Sequence, residues 1–92
     1  MILPTTQIKA SSDQVSCDLA GEAAILDLQN GIYYGLDPVG ARIWELIQSP
    51  CDAREIVSQL LDEYDVEAEQ CQNDVLALLN QLSERGLIEV CD

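Results

Sequence analysis

The sequence predicts an α+β domain of winged helix-turn-helix type, a three-stranded antiparallel sheet followed by three helices. Three observations carry that reading. Residues 14–36 show short apolar and alternating segments punctuated by two turn signals, the pattern of half-buried strands. Residues 38–85 then repeat apolar positions at helical spacing in three segments, each bounded by cap residues or proline. The two halves meet in the run Asn30-Gly31-Ile32-Tyr33-Tyr34-Gly35-Leu36-Asp37-Pro38, where a hairpin turn, an aromatic strand and a helix start follow without a linker.

Residues 14–19 set Val15, Cys17 and Leu19 on one side of a first strand, and Ala20-Gly21 makes a turn. Residues 22–28, with Ile25, Leu26 and Leu28, form the second strand. Asn30-Gly31 favours a type I′ hairpin, because both central positions need positive φ, so residues 32–36 pair antiparallel with residues 22–28. Asp37 offers its carboxylate to the free N–H groups of a helix, and Pro38 suits the first helical position, where no N–H is needed.

Val39, Ile43, Leu46 and Ile47 mark that first helix over about residues 38–48, which Ser49-Pro50 stops. Asp52 with Glu55 three positions on reads as the start of a second helix over about 52–64, striped by Ala53, Ile56, Val57, Leu60, Leu61 and Tyr64. Ala68, Cys71, Val75, Leu78, Leu79 and Leu82 stripe a third over about 67–85, with Arg85 near its negative end and Gly86 at the cap. Two segments allow two readings each. Residues 1–12 are either flexible or, around Gln7–Ala10, an extra strand, and Leu87–Val90 either adds a strand or packs along the core.

At 92 residues the chain is expected to be a single domain with no room for a separate catalytic one. Seventeen acidic residues against Lys9, Arg42, Arg54 and Arg85 give a formal charge of −13, which repels polyphosphate. A third helix carrying Glu67, Glu69, Asp74 and Glu84 has the wrong sign for a DNA reader, so no nucleic acid is expected as partner. The chain has no histidine, and Cys17, Cys51, Cys71 and Cys91 lie far apart with no C-x-x-C pair. That composition supports neither a zinc cluster nor a nucleophile-base pair, and no catalytic residue, metal or cofactor is expected. Met1–Thr6 has no basic or apolar region of a signal peptide, so a soluble cytoplasmic protein with reduced thiols is expected. No apolar run approaches the ~20 residues that span a bilayer, and no membrane partner is expected.

The working surface is expected at the strand over residues 32–36. In the meander order it is paired on one side only, and Ile32-Tyr33-Tyr34-Gly35-Leu36 carries no charge or proline to block its other edge. Such an edge either accepts an added peptide strand or is covered by residues 1–12. Tyr33 and Tyr34 point to opposite faces, one serving the core and the other free to line a cleft. Trp44 is expected in the core. On the third helix, Asp74 and Leu78 lie along one margin of the apolar stripe and Gln72 and Leu76 along the other; either can wall a groove beside the strand.

The run Gly31–Ile47, together with Glu55-Ile56-Val57, Tyr64-Asp65-Val66, Asp74–Leu79 and Arg85-Gly86-Leu87-Ile88, resembles the PqqD-like family of peptide-modification chaperones over about residues 14–90. The resemblance implies a precursor-peptide recognition element of pathways that modify ribosomally made peptides. There the leader segment of a precursor adds as a strand to the meander and is gripped by the third helix. Carried onto this chain, the strand side is Ile32, Tyr33, Tyr34 and Gly35, and the helix side is Asp74, Val75 and Leu78.

The Tyr-Tyr-Gly-Leu-Asp strand with Val-Gly-Ala-Arg-Ile-Trp is most similar to the stand-alone leader-binding subunit of lasso-peptide pathways. That similarity implies three partners: a precursor leader peptide, a separate cysteine-protease leader peptidase, and a cyclase acting after it. The same module serves pyrroloquinoline quinone and other radical-enzyme pathways, which stand as the alternative. The four cysteines match no motif of the family, and the oligomeric state is open.

Overall fold

The computed structural model describes residues 2–11, 15–19, 22–27 and 31–91. In chain order its elements are β1 (Ile8–Ala10), β2 (Val15–Leu19), β3 (Glu22–Asp27), β4 (Ile32–Leu36), α1 (Pro38–Leu46), α2 (Ala53–Glu63), α3 (Ala68–Glu84) and β5 (Ile88–Val90). The strands are divided between two sheets, where the sequence suggested one. In the first, β2 pairs with β3 and β3 with β4, antiparallel in both cases, with Ile25 opposite Tyr34 and Ala24 opposite Gly35. In the second, β1 pairs antiparallel with β5, Ile8 opposite Val90. The predicted turns at Ala20-Gly21 and Asn30, and Leu28 before the latter, lie outside the described residues. Gly31 holds φ at +68°, a value glycine adopts at little cost.

The second sheet settles both open segments. Ile8 exchanges backbone hydrogen bonds with Cys51 at 2.7 and 3.0 Å, and the Ala10 N–H donates to the Ile47 carbonyl at 2.8 Å. The amino-terminal segment is thus stitched to the α1–α2 connection on one side and to β5 on the other. It does not cover β4, which ends its sheet with no strand paired to its outer edge among the described residues.

Helix ends follow the residues that predicted them. Asp37 accepts from the Gly40 N–H at 2.7 Å and caps α1, with Pro38 in the first turn. Asp52 accepts from the Glu55 N–H at 3.0 Å and caps α2. At the end of α3 the Gly86 N–H donates to the Ser83 carbonyl and the Leu87 N–H to the Leu82 carbonyl, at 3.0 and 2.9 Å. With Gly86 at φ +73°, these are the paired bonds of a Schellman cap.

The core is built from Ile8, Ile25, Ile43, Ile47, Ile56, Leu60, Val75, Leu79, Leu82 and Leu87, each at most 3% exposed. Each such side chain contributes about 1.5–3 kcal/mol by leaving water. Trp44 joins this core, its indole N–H without a partner among the described residues. The predicted stripes need correction at their margins. Val39, Leu61 and Tyr64 are exposed, and Leu78 is only partly buried, because a helix packed on one side buries a narrower arc than its apolar residues span.

Candidate functional site

Alternation along β4 divides its side chains between two faces. Tyr33 is 68% exposed and turned outward, and Gly35 is exposed as well. Tyr34 and Leu36 turn to the other face, Leu36 into the core and Tyr34 toward α3. The Tyr34 hydroxyl donates to Gln81 Oε1 at 2.8 Å, and the Arg85 guanidinium lies over the Tyr34 ring, 5.2 Å from its centre. Cation and ring face attract through the ring quadrupole, so Tyr34 is held as a fixed wall.

Which margin of α3 faces β4 is decided by the amino-terminal segment. Ile2 is buried and its N–H donates to Asn80 Oδ1 at 3.0 Å, while Asn80 Nδ2 donates to the Leu76 carbonyl at 2.8 Å. That segment occupies the Leu76–Asn80 side. The opposite margin, Asp74 and Leu78, lines an open groove of about 230 Å³ together with Tyr34, Gly35 and Leu36.

The cap and first two turns of α1 supply the remaining wall, with Asp37, Val39, Gly40 and Ile43. The helix sits this close to β4 because Gly40 lacks a side chain. A Cβ there would stand 3.2 Å from Asp37 Oδ1 and 3.3 Å from Leu36 Cδ2, tighter than ordinary contact. Sequence reasoning missed this wall, although the direct passage from strand to capped helix was the signal for it.

Of the predicted site residues, then, Tyr34, Gly35, Asp74 and Leu78 come together around one groove. Tyr33 stands on the outer face of β4. Ile32 belongs to the same strand, paired through Asp27 on its inner side. Val75 requires correction as a contact residue: it is 1% exposed, and the helical period that places Asp74 and Leu78 at the margin directs Val75 into the core.

The groove is apolar at its centre and acidic at one rim. Asp74 accepts from Gln70 Nε2 at 2.9 Å through one carboxylate oxygen. Asp37 has one oxygen committed to the Gly40 N–H. The volume is below the ~300–1,000 Å³ usual for a pocket enclosing a small molecule, and suits one or two side chains of a longer ligand. The outer edge of β4 beside it, without a strand partner among the described residues, offers backbone donors and acceptors. Together these can hold an extended peptide.

The ionisable groups with shifted titration lie outside the residues that line the groove. Arg42 binds Glu63 through two nitrogens, Nε and Nη2, both at 2.8 Å, joining α1 to α2. Arg42, with help from Gln59, holds the Glu63 carboxyl down to about 2. Asp52 is likewise held below the usual carboxylate range, chiefly by Arg54 beside it. Burial pushes the Cys51 thiol up to about 11 and raises that of Cys71. Among the described residues no three His, Cys, Asp or Glu side chains gather to hold a metal ion, and no helix is long and apolar enough to cross a membrane.

Comparisons with known proteins bear on this geometry. The chain is similar to TbiB1, solved in complex with the TbiA(beta) leader peptide, at 37% identity and a TM-score of 0.80, over 88% of this chain and 94% of that one. It also matches a lasso peptide synthetase B1, solved with its leader peptide, with a TM-score of 0.78, over 89% of this chain and 96% of that one. At 22% identity the second likeness shows the fold alone. A search of curated proteins gives no match. The family model of coenzyme PQQ synthesis protein D (PqqD) matches residues 22–88, well over half of the chain, and the protein belongs to the PqqD family.

Proposed function

We propose that residues 1–92 form one recognition domain that binds the leader segment of a ribosomally made precursor peptide without acting on it chemically. The leader adds as a strand to the outer edge of β4, and its apolar side chains enter the groove between Tyr34 and Leu78. The observation that carries this reading is the outer edge of β4, without a strand partner among the described residues, lying beside a groove walled by α3 and the start of α1. The solved complex of the 37% identical TbiB1 with a leader peptide supports it, and the resemblance of the Tyr-Tyr-Gly-Leu-Asp strand to lasso-pathway subunits directs it to lasso-peptide maturation. The winged-helix resemblance belongs to the same reading, as a shape turned from nucleic acid to peptide.

Function follows by mass action. A subunit that holds the leader and also touches a processing enzyme raises the precursor's effective concentration at that enzyme's active site. The partner we propose is a separate cysteine-protease leader peptidase, with a cyclase acting next, in a cytoplasmic setting. The same module could instead serve a radical-enzyme pathway.

The test is fluorescence anisotropy of the labelled leader encoded by the neighbouring precursor gene. Saturable binding is expected, weakened by Tyr34→Ala and Leu78→Ala and unchanged by Ser58→Ala on the far side of α2. Equal affinity in all four proteins would remove the groove from the reading.

A further inference from the structure

We infer that the groove reads the charge pattern of its peptide, selecting a basic residue at the Asp74 end and an acidic residue at the Arg85 end. The inference rests on the peptide-docking reading above and names the class of segment that docks.

The two ends of the seam between α3 and β4 differ in sign: Asp74 lines the groove, and Arg85 lies past its lining, over the Tyr34 ring. Asp74, Leu78, Gln81 and Arg85 follow one another at spacings of four, three and four, which keeps them on a single face of α3. Asp74 and Leu78 line the groove beside Gly35 and Leu36, whereas Gln81 and Arg85 meet β4 at Tyr34. Asp74 is exposed and accepts a hydrogen bond from the neutral Gln70 amide.

Arg85 is set apart from the other cations. Lys9 pairs with Glu89, Arg42 with Glu45 and Glu63, and Arg54 with Asp52. Arg85 has no carboxylate partner among the described residues, and rests on the face of Tyr34 with its side exposed to solvent. In a chain of net charge −13, a guanidinium without a carboxylate partner among the described residues, stacked on the tyrosine that walls the groove, is a local positive pole.

The geometry sets spacing and order. Asp74 and Arg85, the residue that caps α3, are eleven positions apart, about 16 Å at ~1.5 Å per residue. An extended strand covers that length in about five residues at ~3.4 Å each. Side chains on one face of a strand recur every second residue, so the two charges stand four or six apart.

Direction follows from α3 running antiparallel to β4, since its Asp74 end lies by Leu36 and its Arg85 end by Tyr34. A segment pairing antiparallel to β4, the commoner arrangement, runs from the Asp74 end to the Arg85 end. The basic residue therefore precedes the acidic one.

The test is selection of a random 12-residue peptide library, displayed on messenger RNA, against the full chain. Parallel selections use Asp74→Lys/Arg85→Glu, the milder Asp74→Asn and Arg85→Gln, and the groove-blocking Leu78→Glu, each checked for native circular dichroism. Wild type is expected to enrich Lys or Arg followed four or six residues later by Asp or Glu. The double reversal should invert that order, and each neutral variant should lose preference at its own end only.

In a synthetic winner, reversing either charge should weaken binding to wild type roughly fivefold, as expected for a partly exposed ion pair. The same charges in all pools, no charge preference, or the reverse order on wild type would overturn the inference, while loss of recovery on Leu78→Glu keeps peptide docking intact. Undiminished recovery of the same peptides on Leu78→Glu would instead overturn the docking reading itself.

Discussion

Replacing Asp52 tests how much of this small fold depends on one buried cap. Asp52 is 1% exposed, accepts from the Glu55 N–H at 3.0 Å and binds Arg54 Nη2 at 2.8 Å. Removing an N-cap acceptor costs about 0.5–2 kcal/mol, and the buried position of Asp52 favours the upper half, about 1.5 kcal/mol for Asp52→Ala. Arg54 is two-thirds exposed, at 66%, so solvent screens the ion pair and its loss adds only a few tenths. For 92 residues the unfolding entropy is about 0.19 kcal/mol per kelvin, which turns ~1.5 kcal/mol into a fall of about 8 °C in Tm.

Asp52→Asn separates the two contributions. Asn caps about as well as Asp, so this variant should lose only about 2–3 °C. Because the folded-state pKa of Asp52 is lowered, the stabilisation by charge is full above its unfolded value of about 3.9 and fades as pH falls through the folded value. The gap between wild type and Asp52→Asn should therefore close on acidification. Thermal melts followed by circular dichroism from about pH 7 to about pH 2 measure all of this. An Asp52→Ala protein melting within about 2 °C of wild type, or an Asn variant as weak as the Ala variant, would refute the cap argument.

Gly40→Val should destabilise the fold by about 1–3 kcal/mol through overpacking against Asp37 and Leu36, and should narrow the groove; urea denaturation and peptide titration report the two effects separately. Glu63→Gln should lower Tm at neutral pH by breaking the clamp on Arg42. Since the Glu63 pKa falls to about 2 on folding, the deficit should be full above about pH 4.3 and vanish as pH drops through about 2. Among the described thiols, Cys91 should be alkylated before Cys51 and Cys71 at about pH 8, because it is only partly buried and burial keeps Cys51 protonated up to about 11. Mass spectrometry of partly labelled protein gives the order.

Much of this architecture was legible in short windows. Asp37-Pro38, Asp52 and Gly86 act on backbone groups no more than three or four residues away, so their roles can be read without knowing the fold. The pairing of β3 with β4 follows likewise from closeness in sequence and opposed alternation. The margins were harder. Val39 and Leu78 are apolar, and periodicity alone gives them to the core, yet both line the groove. Val75 lies between groove residues in sequence and faces the interior.

Features that are local or compositional could be read from the residues alone: the helices and their caps, the adjacent strand pairs, the acidity that opposes nucleic acid, and the motifs shared with PqqD-like chains. Three matters arose only from long-range packing. It put residues 2–11 against α3 and β5, leaving the outer edge of β4 without a strand partner among the described residues. It turned Tyr34 inward and Tyr33 outward. It faced the Asp74–Leu78 margin of α3 toward β4. Each depends on contacts between residues about 40 to 80 positions apart, such as Ile2 with Asn80 and Tyr34 with Gln81, whose energies arise only once the chain has packed.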